Sequence, residues 1–176
     1  MRFTALVLVL CSCAAAPLRI ASTPTQLDAK TLAGTWHVVA SNFPLWTKGT
    51  KTNPTFNYGV LGEGRLSDTV RYLEDGKPDH IEGIDRQDAE VPTHFTWRGL
   101  GLLALFTSEW DVVAIDADAG WAVISFSSTL ATPEGVDVIC RDRSPAPGVL
   151  QAALDIIASD PVLSARAVGL VKLTAP

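Results

Sequence analysis

The chain has 176 residues, with 14 Lys and Arg against 19 Asp and Glu, a formal net charge of -5 and no run of basic side chains. That balance excludes a phosphate-tracking surface and with it nucleic acid as a partner. A mature part of about 160 residues can bury a true single-domain core, so neither disulfides nor a metal is needed as a staple.

Met1-Arg2 followed by the apolar stretch Phe3 to Leu10 reads as an export signal. Eight helical residues rise only about 12 Å, too little to cross a bilayer. Leu10-Cys11-Ser12-Cys13 has the form of a bacterial lipobox, which would place a lipid on Cys13. Ordinary cleavage near Ala14-Ala15-Ala16 is the alternative. Residues 1–16 are thus the export segment, and 17–31, rich in Pro, Ser, Thr and Gln, a tether. Two of the three cysteines fall in the export segment. Cys140 is left alone in the folded part, unable to form an internal disulfide, and its alternation with Val136 and Val138 reads as a buried small hydrophobe.

From residue 32 onward a two-residue period sets in. Trp36, Val38 and Ala40 fall on one face of the first strand, His37, Val39 and Ser41 on the other. Residues 42–54 form a long loop with three large apolar side chains, Phe43, Leu45 and Trp46, which suit the guard of an opening. Phe56, Tyr58 and Val60 share the next face; Leu66, Asp68, Val70 and Tyr72 share the one after. Asp75-Gly76 then marks a tight hairpin. Residues 79–86 make a poorer strand, and after Pro92 Phe95 and Trp97 oppose His94, Thr96 and Arg98.

Gly99-Leu100-Gly101 has part of a dinucleotide fingerprint, but a strand from Trp110 to Ile115 follows where the pyrophosphate would need a helix. Asp116-Ala117-Asp118 opens like a calcium loop and lacks the closing Glu, the twelfth place being Ser127. Both are read as strand connections. Strands at 121–128 and 135–141 come next. A helix from Val149 to Ser159 carries an apolar stripe, and a short ninth strand from Val168 to Leu173 ends the chain.

Eight antiparallel strands with one apolar face either stack as two sheets or close on themselves, and composition does not choose between these. Three features together do. Gly34-Thr35-Trp36 at the first strand, Arg141 at the end of the eighth, and the helix and ninth strand after it resemble the lipocalins, most nearly the bacterial outer-membrane lipoprotein branch and apolipoprotein D. The Thr-Asp-Tyr form of that family's second motif is absent from the Trp110 to Asp116 run. The resemblance covers nearly all of residues 32–175. It implies an all-β, eight-stranded up-and-down barrel with one C-terminal helix, filling a domain of residues 32–176. Gly34, Trp36 and Arg141 are then architecture, with the Trp closing the base beneath the cation.

The same resemblance implies a carrier that sequesters a small hydrophobic ligand, such as a fatty acid or lysophospholipid, with no cofactor and no metal. Its contacts are expected from inward strand positions, Ala40, Phe56, Tyr58, Val70, Tyr72, Phe95 and Trp97, and from Phe43 and Trp46 of the first loop. Hydroxyls of Tyr58 and Tyr72 and the carboxyl of Asp68 supply polarity; Arg98, Lys48 or Lys51 would meet an acyl carboxylate at the mouth. Two other classes compete. An enzyme could use a carboxylate pair such as Asp68 with Asp85 across the mouth. A protein-interaction module with a filled barrel could use Phe43, Leu45 and Trp46. His37, His80 and His94 all take outward positions without metal-ligand spacing. The expected location is the bacterial envelope through a lipid anchor, or otherwise a secreted or periplasmic state.

Overall fold

A computed structural model describes residues 16–129 and 133–173; the export segment with Cys13 lies outside them. Eight strands form the barrel wall: β1 (Gly34–Ser41), β2 (Lys51–Gly62), β3 (Arg65–Glu74), β4 (Lys77–Gln87), β5 (His94–Gly99), β6 (Thr107–Asp116), β7 (Trp121–Phe126) and β8 (Gly135–Cys140). Each pairs antiparallel with the next, and β1 closes the ring by pairing with both β8 and β2. Closure leaves no open edge along the ring. A ninth strand, β9 (Val171–Lys172), adds to β1 outside the ring.

The Asp75-Gly76 hairpin forms as its residues dictate, both taking positive φ between β3 and β4. The loop expected over 42–54 is shorter. A single helical turn, α1 (Pro44–Thr47), stands over the mouth, and β2 already begins at Lys51. Pro54 is tolerated within β2 because it falls in an irregular register between Thr52 and Thr55, beside Asn53 at φ 55.

After the barrel come α2 (Pro147–Ser159) and α3 (Pro161–Arg166). The second of these is not apparent in the sequence pattern. It starts because the Asp160 side chain accepts from the backbone N–H groups of Val162 and Leu163 while Pro161 takes the first helical position. The expected ninth strand over 168–173 shrinks to two residues accordingly.

Two apolar layers result. One fills the barrel, with Trp36, Phe56, Tyr58, Leu66, Phe95 and Trp110 among its members. The other lies between the outer wall and the two helices, where Val123, Val138 and Cys140 pack against Ala153, Ile157 and Leu163. Cys140 is a buried outer-face hydrophobe whose thiol burial pushes up to about 11. It is no nucleophile at neutral pH.

Residues ahead of β1 run along the wall as a strap. Leu18 is buried, its N–H donating to Asp111 Oδ2 at 3.0 Å, and Ser22 Oγ donates to the Val113 carbonyl. The strap reaches the base through Leu27, whose carbonyl accepts from Gln87, and a 3-10 turn at Ala29–Leu32.

Candidate ligand site in the barrel interior

The base is closed by the residues the sequence singles out. Trp36 is fully buried, and its indole N–H donates to the Leu32 carbonyl at 2.7 Å. The Arg141 guanidinium sits 3.7 Å from the centre of the Trp36 ring and donates to the carbonyls of Thr31 and Thr35 at 3.0 and 3.2 Å. One cation thereby ties the 3-10 turn to β1 across the closed end. Gly34 is needed for two reasons: its φ is +97, and a Cβ there would stand 3.1 Å from Arg141 Nη1.

Above this floor the interior is walled by aromatic rings. Phe95 stacks on Trp110 with centroids 4.4 Å apart, Trp110 on Tyr58 at 6.0 Å, and Tyr58 on Phe56 at 6.2 Å. Phe56 meets Phe126, which in turn meets Phe43 from the mouth at 5.4 Å. Val70 and Tyr72 belong to the same inner cluster, with Trp97 packed against it. Trp97 lies flat over Gly83 of the neighbouring strand, where a Cβ would come within 2.1 Å of its Nε1. The glycine makes room for the indole.

Of the expected lining residues Ala40 is the exception. The register of β1 against β8 slips between Val38 and Ala40, so Val39 and Ala40 both pack in the outer layer and Ser41 turns inward. A bulge of this kind reverses the alternation beyond it.

The interior is also far more acidic than the sequence pattern suggests. Asp68 and Asp85 on adjacent strands and Asp137 on β8 all point inward, at 6%, 0% and 0% exposure. Each is partly satisfied at most. Asp85 Oδ1 accepts from the Trp110 indole at 2.8 Å, and Asp137 Oδ1 accepts from Ser41 Oγ at 2.5 Å and the carboxyl is also drawn on by Trp46. One oxygen of each carboxyl, Asp68 Oδ1, Asp85 Oδ2 and Asp137 Oδ2, is buried without a hydrogen-bond partner, as is Nε1 of Trp97. Such a group costs about 1–3 kcal/mol when left unmatched.

Burial pushes the Asp85 and Asp137 carboxyls up to about 7. It raises Asp68 well above the usual carboxylate range, with the neighbouring Asp85 charge adding to the effect. The Tyr58 phenol is raised too, by burial and then by the fields of Asp68, Asp85 and Asp137. Asp68 and Asp85, the pair that the enzyme alternative names, hold diagonal inward positions on β3 and β4, deep within the barrel rather than across its mouth. Asp85 lies nearest the base, opposite Leu66 and Trp97.

The mouth is covered by α1. Trp46 is buried against Tyr72, ring centres 5.8 Å apart, and Phe43 leans on Phe126. A shallow depression of about 460 Å³ beside α1 is lined by Leu45, Lys48, Lys51 and Glu74, with others. Lys51 is already engaged, 2.6 Å from Glu74 and 4.4 Å from the centre of the Tyr72 ring. Arg98 faces outward on β5 and is exposed. Between β5 and β6 the rim carries Leu102 and Leu105, 99% and 94% exposed.

His94 holds an outward position, but not an exposed one. It is buried on the wall with Nδ1 2.8 Å from Asp111 Oδ1, the carboxylate that also receives the strap at Leu18. That hydrogen bond raises the His94 pKa against the opposing effect of burial. Among the described residues no three His, Cys, Asp or Glu side chains gather as a metal site.

No family model matches the chain, and no curated protein matches it either. Solved structures do. Insecticyanin from the tobacco hornworm Manduca sexta superposes with a TM-score of 0.68 at 12% identity, over 91% of this chain and 87% of that one. Lobster apocrustacyanin A1 gives 0.64 at 13% identity, over 84% and 79% of the two chains. The siderocalin Ex-FABP gives 0.63 at 15% identity, over 83% and 95%. With the closed ring, the outer ninth strand and the C-terminal helical region, these likenesses identify the fold as the eight-stranded lipocalin barrel.

Proposed function

We propose that the chain is an exported binding protein that sequesters a small ligand with an apolar body inside the barrel. The observation that carries this reading is the inner aromatic wall, sealed below by Trp36 and Arg141 and covered above by the single turn of α1. Entry requires α1 to lift Phe43 and Trp46 off Phe126 and Tyr72. Burial of an apolar body at roughly 25 cal/mol per Å² supplies the affinity. Among chains of this fold, Ex-FABP is described as functioning through dual ligand specificities, a precedent for binding and not for the identity of the ligand. A loop-mediated protein module is disfavoured, because Phe43 and Trp46 are turned into the barrel.

Native mass spectrometry of the full chain tests the reading. We expect a small molecule that co-purifies, or that adds after incubation, and that is recovered chemically unchanged. An apo mass unaltered by neutral, cationic and anionic amphiphiles alike overturns it; recovery of a converted molecule would instead favour an enzyme.

The Leu10-Cys11-Ser12-Cys13 pattern supports a bacterial envelope lipoprotein held by a lipid on Cys13. In a Gram-negative host the wild-type chain is expected in the membrane fraction and Cys13→Ser in the soluble or unprocessed pool. Equal partitioning of the two counts against the anchor.

A further inference from the structure

We propose that the ligand is a cationic amphiphile, a protonated amine on an aromatic or aliphatic body, whose ammonium group is received between Asp68 and Asp85. This deepens the binding-protein reading above and rests on it. Asp68 and Asp85 hold diagonal inward positions on β3 and β4, each with one buried oxygen that accepts no hydrogen bond although the Trp97 indole lies beside Asp68, and Asp137 on β8 has a third such oxygen.

Below the mouth, the inward positions of the eight strands carry no Lys, Arg or His among the described residues; Lys51 and Lys77 reach that face only at the mouth ends of β2 and β4, beside Glu74. Lys51 stays at the mouth with Glu74, and Arg141 lies beneath Trp36, outside the aromatic wall. Buried carboxylates are ordinarily paired or hydrogen-bonded. Here the missing partner is a donor carrying positive charge. The described side chains form no metal cluster, so an organic cation fits where a divalent ion does not.

The walls match such a cation as well. Tyr58, Trp110 and Phe95 stack beside Asp68 and Asp85, offering ring faces that attract an ammonium and apolar area that takes its body. An acyl carboxylate would meet the opposite environment. It brings no positive charge with which the buried carboxyls could ionise, and their unmatched oxygens would stay unmatched. A fatty acid could keep its head only at the rim, by Lys48.

Matched probes of one shape and three charges separate the possibilities. Octylamine, octanol and octanoate, and likewise 2-phenylethylamine, 2-phenylethanol and phenylacetate, would be titrated into the full chain at neutral pH, followed by tryptophan fluorescence and calorimetry. The amines are expected to bind at least tenfold more tightly than their alcohols, with the carboxylates weakest. In the Asp68→Asn, Asp85→Asn double variant the amine preference is expected to vanish while alcohol binding persists. That persistence shows that the variant barrel is folded and still receives apolar bodies. Alcohols or carboxylates that bind as tightly as amines overturn the cation proposal and leave the binding-protein reading standing. An amine preference that survives the double variant overturns it too. Should no probe of any charge bind, both fall.

Discussion

Replacing Trp36 with alanine is expected to destabilise the barrel by about 3–5 kcal/mol, as for a large aromatic removed from a closed core. Trp36 is fully buried, and three interactions depend on its ring. Its indole N–H satisfies the Leu32 carbonyl, its face carries the Arg141 guanidinium, and its body fills the floor under the aromatic wall. The cation–π contact alone is worth about 1 kcal/mol, so most of the loss is packing and cavity. Urea unfolding followed by circular dichroism measures it. Arg141→Lys should cost less, because the ring stays in place while the hydrogen bonds to Thr31 and Thr35 go. A Trp36→Ala loss below 1 kcal/mol would mean that the base is not closed as described.

The second large effect is an unusual dependence of stability on pH. In the unfolded chain an aspartate titrates at about 3.9, whereas Asp85 and Asp137 titrate at about 7 in the folded barrel. Between those values the unfolded state loses protons that the folded state keeps. Stability therefore falls as pH rises through that window, by up to about 1.4 kcal/mol per pH unit for each group. Asp68, raised by burial and by Asp85, acts in the same direction.

His94 adds to the trend. Its pKa is raised by Asp111, so its contribution is complete below the unfolded value of about 6.5 and is lost as pH rises through the folded one. The exposed carboxyls of Asp79 and Asp88 are held low by hydrogen bonds and set the acid limit instead, losing their contribution as pH falls through their folded values. The apo protein should be most stable on the acidic side, close to the unfolded aspartate value of about 4, where the buried carboxyls have not yet begun to cost stability. Denaturation midpoints across pH would show the maximum, and Asp85→Asn with Asp137→Asn should flatten the fall toward pH 8. A flat wild-type profile between pH 5 and 8 would refute the protonated interior.

Much of the framework was legible from residue types. Trp36, Gly34 and Arg141 mark the base, Asp75-Gly76 fixes a hairpin, and the alternation of β2 and β3 gives Phe56, Tyr58, Asp68, Val70 and Tyr72 their inward places. Solvent faces the other side of those strands, so polarity labels the two faces.

That label disappears on β6, β7 and β8. Their outer faces are covered by α2, α3 and the strap, and both sides read as apolar. On β8 the apolar residues Val136, Val138 and Cys140 turn outward, and the charged Asp137 turns in. Alternation with Ile139 was the available signal, and without knowledge of the covering helices it pointed either way. The bulge after Val38 has no mark in the sequence at all, since Val39 and Ala40 suit either face. Trp110, the ring closest to Asp85, was hidden for the same reason: its neighbours Val112 and Val113 are equally apolar on opposite sides.

The strap gives the molecule an orientation as well as a brace. From Leu18 beside Asp111 to Ser22 beside Val113 it descends toward the base, with Leu18 at its mouth-side end. From Asp111 up to Thr107, the mouth end of β6, is a climb of about 13 Å at the rise of a strand. Five residues from Cys13 to Leu18 reach about 18 Å when extended. A lipid on Cys13 would therefore lie within reach of the rim that displays Leu102 and Leu105. A barrel anchored that way would stand mouth-down on the bilayer. Under the proposed anchor, an amphiphile dissolved in the leaflet would have a path to the opening that bypasses the aqueous phase.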